Sequence, residues 1–158
     1  MELTVGLPAP ALELPLEGGG TASAPARGAP QLLFFFKVDC PTSALAVPAL
    51  ERLRRAHPRL ELLPISQDDA AGTRAWRGAH GLTARAAIEG ETFPASAAFG
   101  LAVTPTLVLL DSRGAVAAVQ EGWSREGYNA AAALAARLLG EEAQVVAPEG
   151  EGPAFRPG

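Results

Sequence analysis

The sequence predicts an α/β domain in which helices flank a central mixed sheet. Residues 32–36 form an unbroken apolar run of strand length, which is typical of a strand buried on both faces. Residues 43–57 then repeat apolar side chains at helical spacing, and residues 60–65 form a second apolar strand. A strand, a helix and a strand in this order form a right-handed crossover that joins two parallel strands.

The residues before the central strand predict a short extension at the edge of the sheet. Prolines at positions 8, 10 and 15 exclude a helix over residues 5–16 and permit only an edge segment. Gly18 to Gly20 predict a turn, and residues 21–30 a short strand.

Turn and cap residues divide the rest of the chain into elements. Pro48 should kink the first helix, and Pro58 ends it after His57, which we interpret as a cap residue. Asp68 and Asp69 predict the start of the next helix. The later elements are predicted as a helix over 70–79, a short strand within 82–90, a helix over 95–99, a hairpin over 107–121 and a helix over 128–139. We expect the domain to span residues 1–140 and the Glu-, Pro- and Gly-rich residues 141–158 to form a flexible tail.

Composition excludes several classes of function. The 158 residues suffice for one full core, and 48% of them are apolar. A net charge of −4 without a dense basic block argues against nucleic acid or an anionic membrane as a partner. One cysteine cannot form an internal disulfide, and two isolated histidines indicate no metal site, so no cofactor is expected. With no visible signal peptide or membrane span, we expect a soluble cytoplasmic protein, whose oligomeric state the sequence leaves open.

The single cysteine, Cys40, lies where the central strand meets the first helix. Pro41 suits the first helical position, which places Cys40 at the cap and the N–H groups of Thr42 and Ser43 near its sulfur. Those donors and the positive end of the helix dipole favour a thiolate, so Cys40 is a candidate nucleophile.

Two charged neighbours and one simpler interpretation bear on that candidate. Asp39 would raise the pKa of the thiol if its carboxylate pointed inward, and Lys37 could offset that effect. A lone cysteine is also often a small buried apolar residue without chemistry. The order of strand, cysteine, proline and helix favours the reactive interpretation.

The ordered set of motifs over residues 3–138 resembles the thioredoxin fold. The closer resemblance is to the redoxin branch related to TlpA, ResA and the alkyl-hydroperoxide-reductase/thiol-specific-antioxidant group, which adds N-terminal strands. The segments that support it are VGLPAPALELPL, FFFKVDCPTS, Pro48, PISQDDA, AFGLAVTPTLVLLDSRG and EGW.

The resemblance implies a role for four residues. Cys40 matches the attacking cysteine of the family's Cys-x-x-Cys motif, and Pro105 matches the cis proline that faces it. Thr104 would present backbone groups to an extended substrate by strand addition. Ser43 stands where the family has its second, resolving cysteine. Serine can donate a hydrogen bond to a thiolate, but it cannot displace a mixed disulfide.

Three functions are compatible with this pattern. The first is a monothiol thiol-disulfide oxidoreductase whose partners are a disulfide-containing protein or a small-molecule thiol or disulfide. The second is a one-cysteine peroxidase, although the peroxidase pattern would require proline and threonine where this chain has Leu33 and Lys37. The third is a non-catalytic binding module. Ser43 itself fits a natural monothiol protein, an engineered trapping variant or a scaffold without turnover.

Overall fold

The computed structural model describes residues 3–158, which form one central sheet with helices on both faces. The helices are α1 (Pro41–Ala56), α2 (Ala70–His80), α3 (Pro94–Ala98) and α4 (Arg125–Leu139). The strands are β1 (Leu12–Pro15), β2 (Thr21–Ala24), β3 (Gln31–Phe36), β4 (Glu61–Ser66), β5 (Ala87–Ile88), β6 (Thr106–Leu110), β7 (Val116–Glu121), β8 (Trp123–Ser124) and β9 (Phe155–Arg156). Over residues 3–158, each helix is too short or too polar to span a bilayer.

The central sheet has the order β5-β4-β3-β6-β7 and contains both strand orientations. Strands β3, β4 and β5 run parallel, whereas β6 is antiparallel to both β3 and β7. The predicted mixed sheet is therefore confirmed, with β3, which contains the apolar run of residues 32–36, at its centre. A separate hairpin of β1 and β2 forms the N-terminal extension.

Successive residues of β3 point into two different apolar cores. Leu32, Phe34 and Phe36 pack with residues of α1, α2 and α4, whereas Leu33 and Phe35 pack with the β1–β2 hairpin and α3. Every residue of β3 is buried, which explains why its apolar run has no alternation. Complete burial of each Phe stabilises the fold by roughly 1.5–3 kcal/mol and fixes the strand end that precedes Cys40.

The start of α4 differs from its prediction. The helix begins at Arg125, three residues before the predicted Tyr128, because the Ser124 hydroxyl accepts a hydrogen bond from the Gly127 N–H at 2.9 Å. Ser124 therefore caps a helix whose first turn contains a glycine. Glycine is a weak helix former, so the sequence pattern alone placed the start of the helix after Gly127.

The segment after Gly140 lies against the domain. His57 Nδ1 is 2.7 Å from a carboxylate oxygen of Glu141, and the Asn129 side chain bonds the backbone of both Val146 and Ala147. Strand β9 then pairs with β8, which the sequence did not predict. These contacts define the position of the segment; the flexibility of residues 141–158 stays a prediction that hydrogen exchange tests.

Candidate active site

The local fold places Cys40 at the cap of α1, next to the end of β3. Cys40 has extended backbone angles, and Pro41 occupies the first turn of the helix. The Cys40 side chain makes no capping hydrogen bond, so the first-turn N–H groups are not occupied by a side-chain oxygen of the cap residue. The residue is partly exposed. Cys40 therefore lies beside backbone donors and is in part open to solvent.

Two opposing effects set the pKa of Cys40. Partial burial of the sulfur is the largest single effect and raises the pKa, since a desolvated thiolate is disfavoured. Hydrogen bonds from the Ser43 hydroxyl and from the N–H groups of Ser43 and Thr42, with a smaller contribution from Thr104, together outweigh it. The pKa of Cys40 consequently lies below its ordinary value of 9.0.

Ser43, three residues after Cys40, is completely buried. Within residues 3–158 its hydroxyl oxygen has no hydrogen-bond partner, and the hydroxyl is the side chain that contributes most to lowering the pKa of Cys40. An unpaired buried hydroxyl is costly, and a thiolate that accepts its hydrogen bond removes that cost. This position favours the ionised form of Cys40 without adding a second thiol.

The two charged neighbours of Cys40 point into solvent. Lys37 Nζ lies 3.7 Å from Asp39 Oδ1, and the two side chains are 45% and 71% exposed. Neither charge is among the causes of the lowered Cys40 pKa. The sequence left the direction of Asp39 open, and the structure places its carboxylate where solvent screens it.

Thr104 and Pro105 face Cys40 from the loop that enters β6. The Thr104–Pro105 peptide bond is cis, which is the arrangement that the resemblance implies. The Cys40 thiol lies 3.4 Å from the Thr104 carbonyl oxygen, to which it donates. The structure thus brings Cys40, the candidate nucleophile, next to Thr104 and Pro105, which we call the predicted substrate ledge and which begin 64 residues later in the chain.

Asp68 supports the site in a way that the sequence analysis missed. Asp69 caps α2 by accepting a hydrogen bond from the Gly72 N–H at 2.7 Å. The Asp68 carboxylate instead accepts from the Val38 N–H at 2.9 Å and ties the loop before Cys40 to the end of β4. Parallel β3 and β4 end at the same edge of the sheet, and this topology could have indicated the contact.

Comparison with known proteins identifies the architecture. No protein-family model matches the chain, and no curated protein matches it in sequence. Among solved structures, a protein of Chlorobium tepidum assigned as the thiol:disulfide interchange protein DsbE superposes with a TM-score of 0.76 at 18% identity, over 87% of this chain and 97% of that one. The chain has a thioredoxin-like fold.

Two further structures have the same thioredoxin-like fold. The thioredoxin domain of a thiol-disulfide oxidoreductase from Bacteroides vulgatus gives a TM-score of 0.73 at 17% identity, over 81% of this chain and 95% of that one. A thiol-disulfide oxidoreductase from Bacteroides fragilis gives 0.66 at 24% identity, over 72% and 89%. At these identities the likeness establishes the fold; the chemistry depends on the residues around Cys40.

Proposed function

We propose that the chain is a thiol-disulfide oxidoreductase in which Cys40 is the only nucleophile. The observation that supports this function best is the partly exposed Cys40 at the start of α1, whose sulfur lies 3.4 Å from the carbonyl oxygen of Thr104, the residue before cis Pro105. A lowered pKa increases the thiolate fraction at neutral pH, and the thiolate is the form that attacks. Disulfide-containing molecules are accordingly the proposed partners.

The proposed reaction needs an external thiol because Ser43 cannot resolve an intermediate. The Cys40 thiolate attacks one sulfur of the substrate disulfide, forms a mixed disulfide and releases the other substrate sulfur as a thiolate. An external thiolate then attacks the Cys40 sulfur and releases the second substrate sulfur. A second external thiolate attacks the sulfur of the first, forms a small disulfide with it and releases the Cys40 thiolate. Two thiols are oxidised for each disulfide reduced.

Mass spectrometry of the protein treated with glutathione disulfide tests the first step. We expect one glutathionyl adduct on Cys40 that persists until excess thiol is added. The Cys40→Ser variant should form none. Absence of an adduct on folded wild-type protein contradicts the proposal, and rapid consumption of peroxide with a thiol reductant would assign the peroxidase function instead.

The Ser43→Cys variant tests the missing second step. A thiol at this buried position, three residues after Cys40, should release the adduct internally and give reductase activity toward insulin. The matched control is Ser112→Cys in the turn after β6, which adds a thiol at the opposite end of that strand from Thr104. If folded Ser43→Cys is no more active than Ser112→Cys, the proposed role of position 43 is wrong.

A further inference from the structure

The end of the chain returns to the active site through the short strand β9. Strand β9 pairs antiparallel with β8, with Trp123 opposite Arg156 and Ser124 opposite Phe155. The Arg125 N–H also donates to the Ala154 carbonyl at 2.8 Å. This register brings the two residues that follow β9 to the start of α1.

The space between Thr42, at the start of α1, and the Thr104 ledge is where the resemblance places an extended substrate, and we call it the substrate groove. Pro157 and Gly158 contact both of its walls. The Thr42 hydroxyl, two residues after Cys40, donates to the Pro157 carbonyl at 2.9 Å. A Cβ added at Gly158 would overlap the Thr104 carbonyl oxygen, so this last residue lies against the ledge itself. The last two residues therefore bridge the helix start and the ledge.

Gly122 makes room for the C-terminal residues. Its φ of +66° is unfavourable for residues with a side chain, and its N–H donates to the Pro105 carbonyl at 2.8 Å. A Cβ here would come within 2.8 Å of the Arg156 carbonyl oxygen and 3.2 Å of Pro157 Cα. The backbone beside the ledge is thus fitted closely to the C-terminal segment.

Side chains of β8 and α4 hold the preceding residues in place. Trp123 Nε1 donates to the Pro153 carbonyl at 2.8 Å, and Arg125 donates to the Gly152 carbonyl at 2.8 Å. Arg52 of α1 bonds both the Val146 carbonyl and the Glu151 carboxylate. These contacts limit where the last residues can go and raise their local concentration at the groove.

A separate depression beside Thr104 remains open. This cavity of about 450 Å³ is lined by residues that include Lys37, Gln67, Phe93 and Thr104, and within residues 3–158 no residue of the C-terminal segment lines it. Its volume falls in the range of small-ligand sites. Cys40 is also partly exposed with residues 155–158 in place, so part of this residue stays open to solvent while the groove is covered.

We propose that residues Phe155–Gly158 occupy the groove in which an extended peptide would bind, and thereby make Cys40 selective for low-molecular-weight disulfides. The inference rests on the proposed function for its redox chemistry, since the groove is where a substrate would pair with Thr104. Occlusion of the groove does not depend on that chemistry, because it concerns only whether a molecule can reach the sulfur. An extended peptide must displace the segment before it reaches Cys40, whereas a small disulfide need not.

Alkylation measures this access independently of disulfide chemistry. The rate constants of Cys40 with iodoacetamide and with a ten-residue peptide that carries an iodoacetyl group are compared in the full chain and in a chain that ends at Pro153. We expect the truncation to accelerate the peptide reagent about tenfold, on the scale of one or two hydrogen bonds, and to leave iodoacetamide nearly unchanged. Equal factors for both reagents, or no change in either, overturn the proposal.

The variant Gly158→Ala tests the same contact without removing residues. The added methyl group should displace the end of the chain from Thr104 and accelerate the peptide reagent selectively. Gly78→Ala is the matched control, because a Cβ at Gly78 in α2 meets nothing within 4 Å. Acceleration equal to that of Gly78→Ala counts against occupancy of the groove.

Adding the free pentapeptide AFRPG to the truncated chain completes the test. At millimolar concentration it should slow the peptide reagent again, and a scrambled pentapeptide should not. Parallel reactions with glutathione disulfide and insulin then separate the two proposals. If neither disulfide forms an adduct but the alkylation pattern is as expected, the oxidoreductase function is wrong and the occupancy of the groove is supported. If adducts form without that alkylation pattern, the oxidoreductase function is supported and the occupancy is wrong.

Discussion

The first turns of α1 and α2 both have backbone N–H groups and use them differently, although Pro41 removes one donor from α1. At α2, the Asp69 carboxylate accepts the Gly72 N–H at 2.7 Å and completes the helix in the usual way. At α1, the cap residue is Cys40, which makes no capping hydrogen bond. The N–H groups of Thr42 and Ser43 instead lower the pKa of its thiol. One helix start thus has a side-chain cap that stabilises the fold, and the other has a sulfur with a lowered pKa in that place.

Among the substitutions that keep the thiol, Ser43→Ala should have the largest effect on the pKa of Cys40. Without the hydroxyl, the pKa of Cys40 rises, so the alkylation rate reaches half its plateau at a higher pH. Below both midpoints the reaction should be slower by about tenfold, because a hydrogen bond to a charged group contributes about 1.5–3 kcal/mol. The rate of alkylation by iodoacetamide against pH measures the shift. Ser112→Ala in the exposed turn is the control, and a midpoint that does not move contradicts the role of Ser43.

Asp69→Ala should affect the free energy of unfolding and leave the sulfur unchanged. Loss of the cap at α2 should lower the free energy of unfolding by about 1 kcal/mol, since the Gly72 N–H loses its acceptor. Urea titration measures the loss. The alkylation midpoint of Cys40 should be that of the wild type. A shift in that midpoint would show that the two helix starts are not independent.

How well the sequence predicted each part of the Cys40 site depends on how far apart the residues of that part lie in the chain. The strand, the cysteine and the proline of residues 32–41 are adjacent, so their pattern predicted the position of Cys40. Thr104 follows Cys40 by 64 positions in the sequence, and Pro105 comes directly after it. Only the resemblance to redoxins connected these two residues to Cys40. The mixed sheet was predictable because the apolar runs and turn residues that define it are strong local signals.

The contacts that the sequence did not reveal depend on distant backbone register. Asp68 and Val38 meet because β3 and β4 are parallel and end together. The hydrogen bond from Thr42 to Pro157 spans 115 residues and depends on a two-residue strand. A pair of residues has no periodicity to detect, and the Pro- and Gly-rich sequence around it indicated a loose tail.

Cys40→Ser should give α1 the side-chain cap that it lacks. A serine hydroxyl at the cap position can accept a first-turn N–H, so the free energy of unfolding should increase by about 0.5 kcal/mol. All reaction with iodoacetamide should disappear, since this is the chain's single cysteine. Urea titration beside the wild type measures the gain. A loss of stability would mean that the thiol contributes more to the start of α1 than an oxygen cap does.

Asp39→Asn should have the smallest effect, and it tests whether backbone donors or nearby charges set the reactivity of Cys40. The Asp39 carboxylate is 71% exposed and pairs with Lys37, so solvent and salt screen its field at the sulfur. The alkylation midpoint should therefore stay within error of the wild type, in low and in high salt. If Asp39→Asn lowers the midpoint in low salt only, the carboxylate acts on the thiolate through space. The first turn of α1 would then share control of the sulfur with a surface charge, and Lys37→Gln would be expected to raise the midpoint by a similar amount.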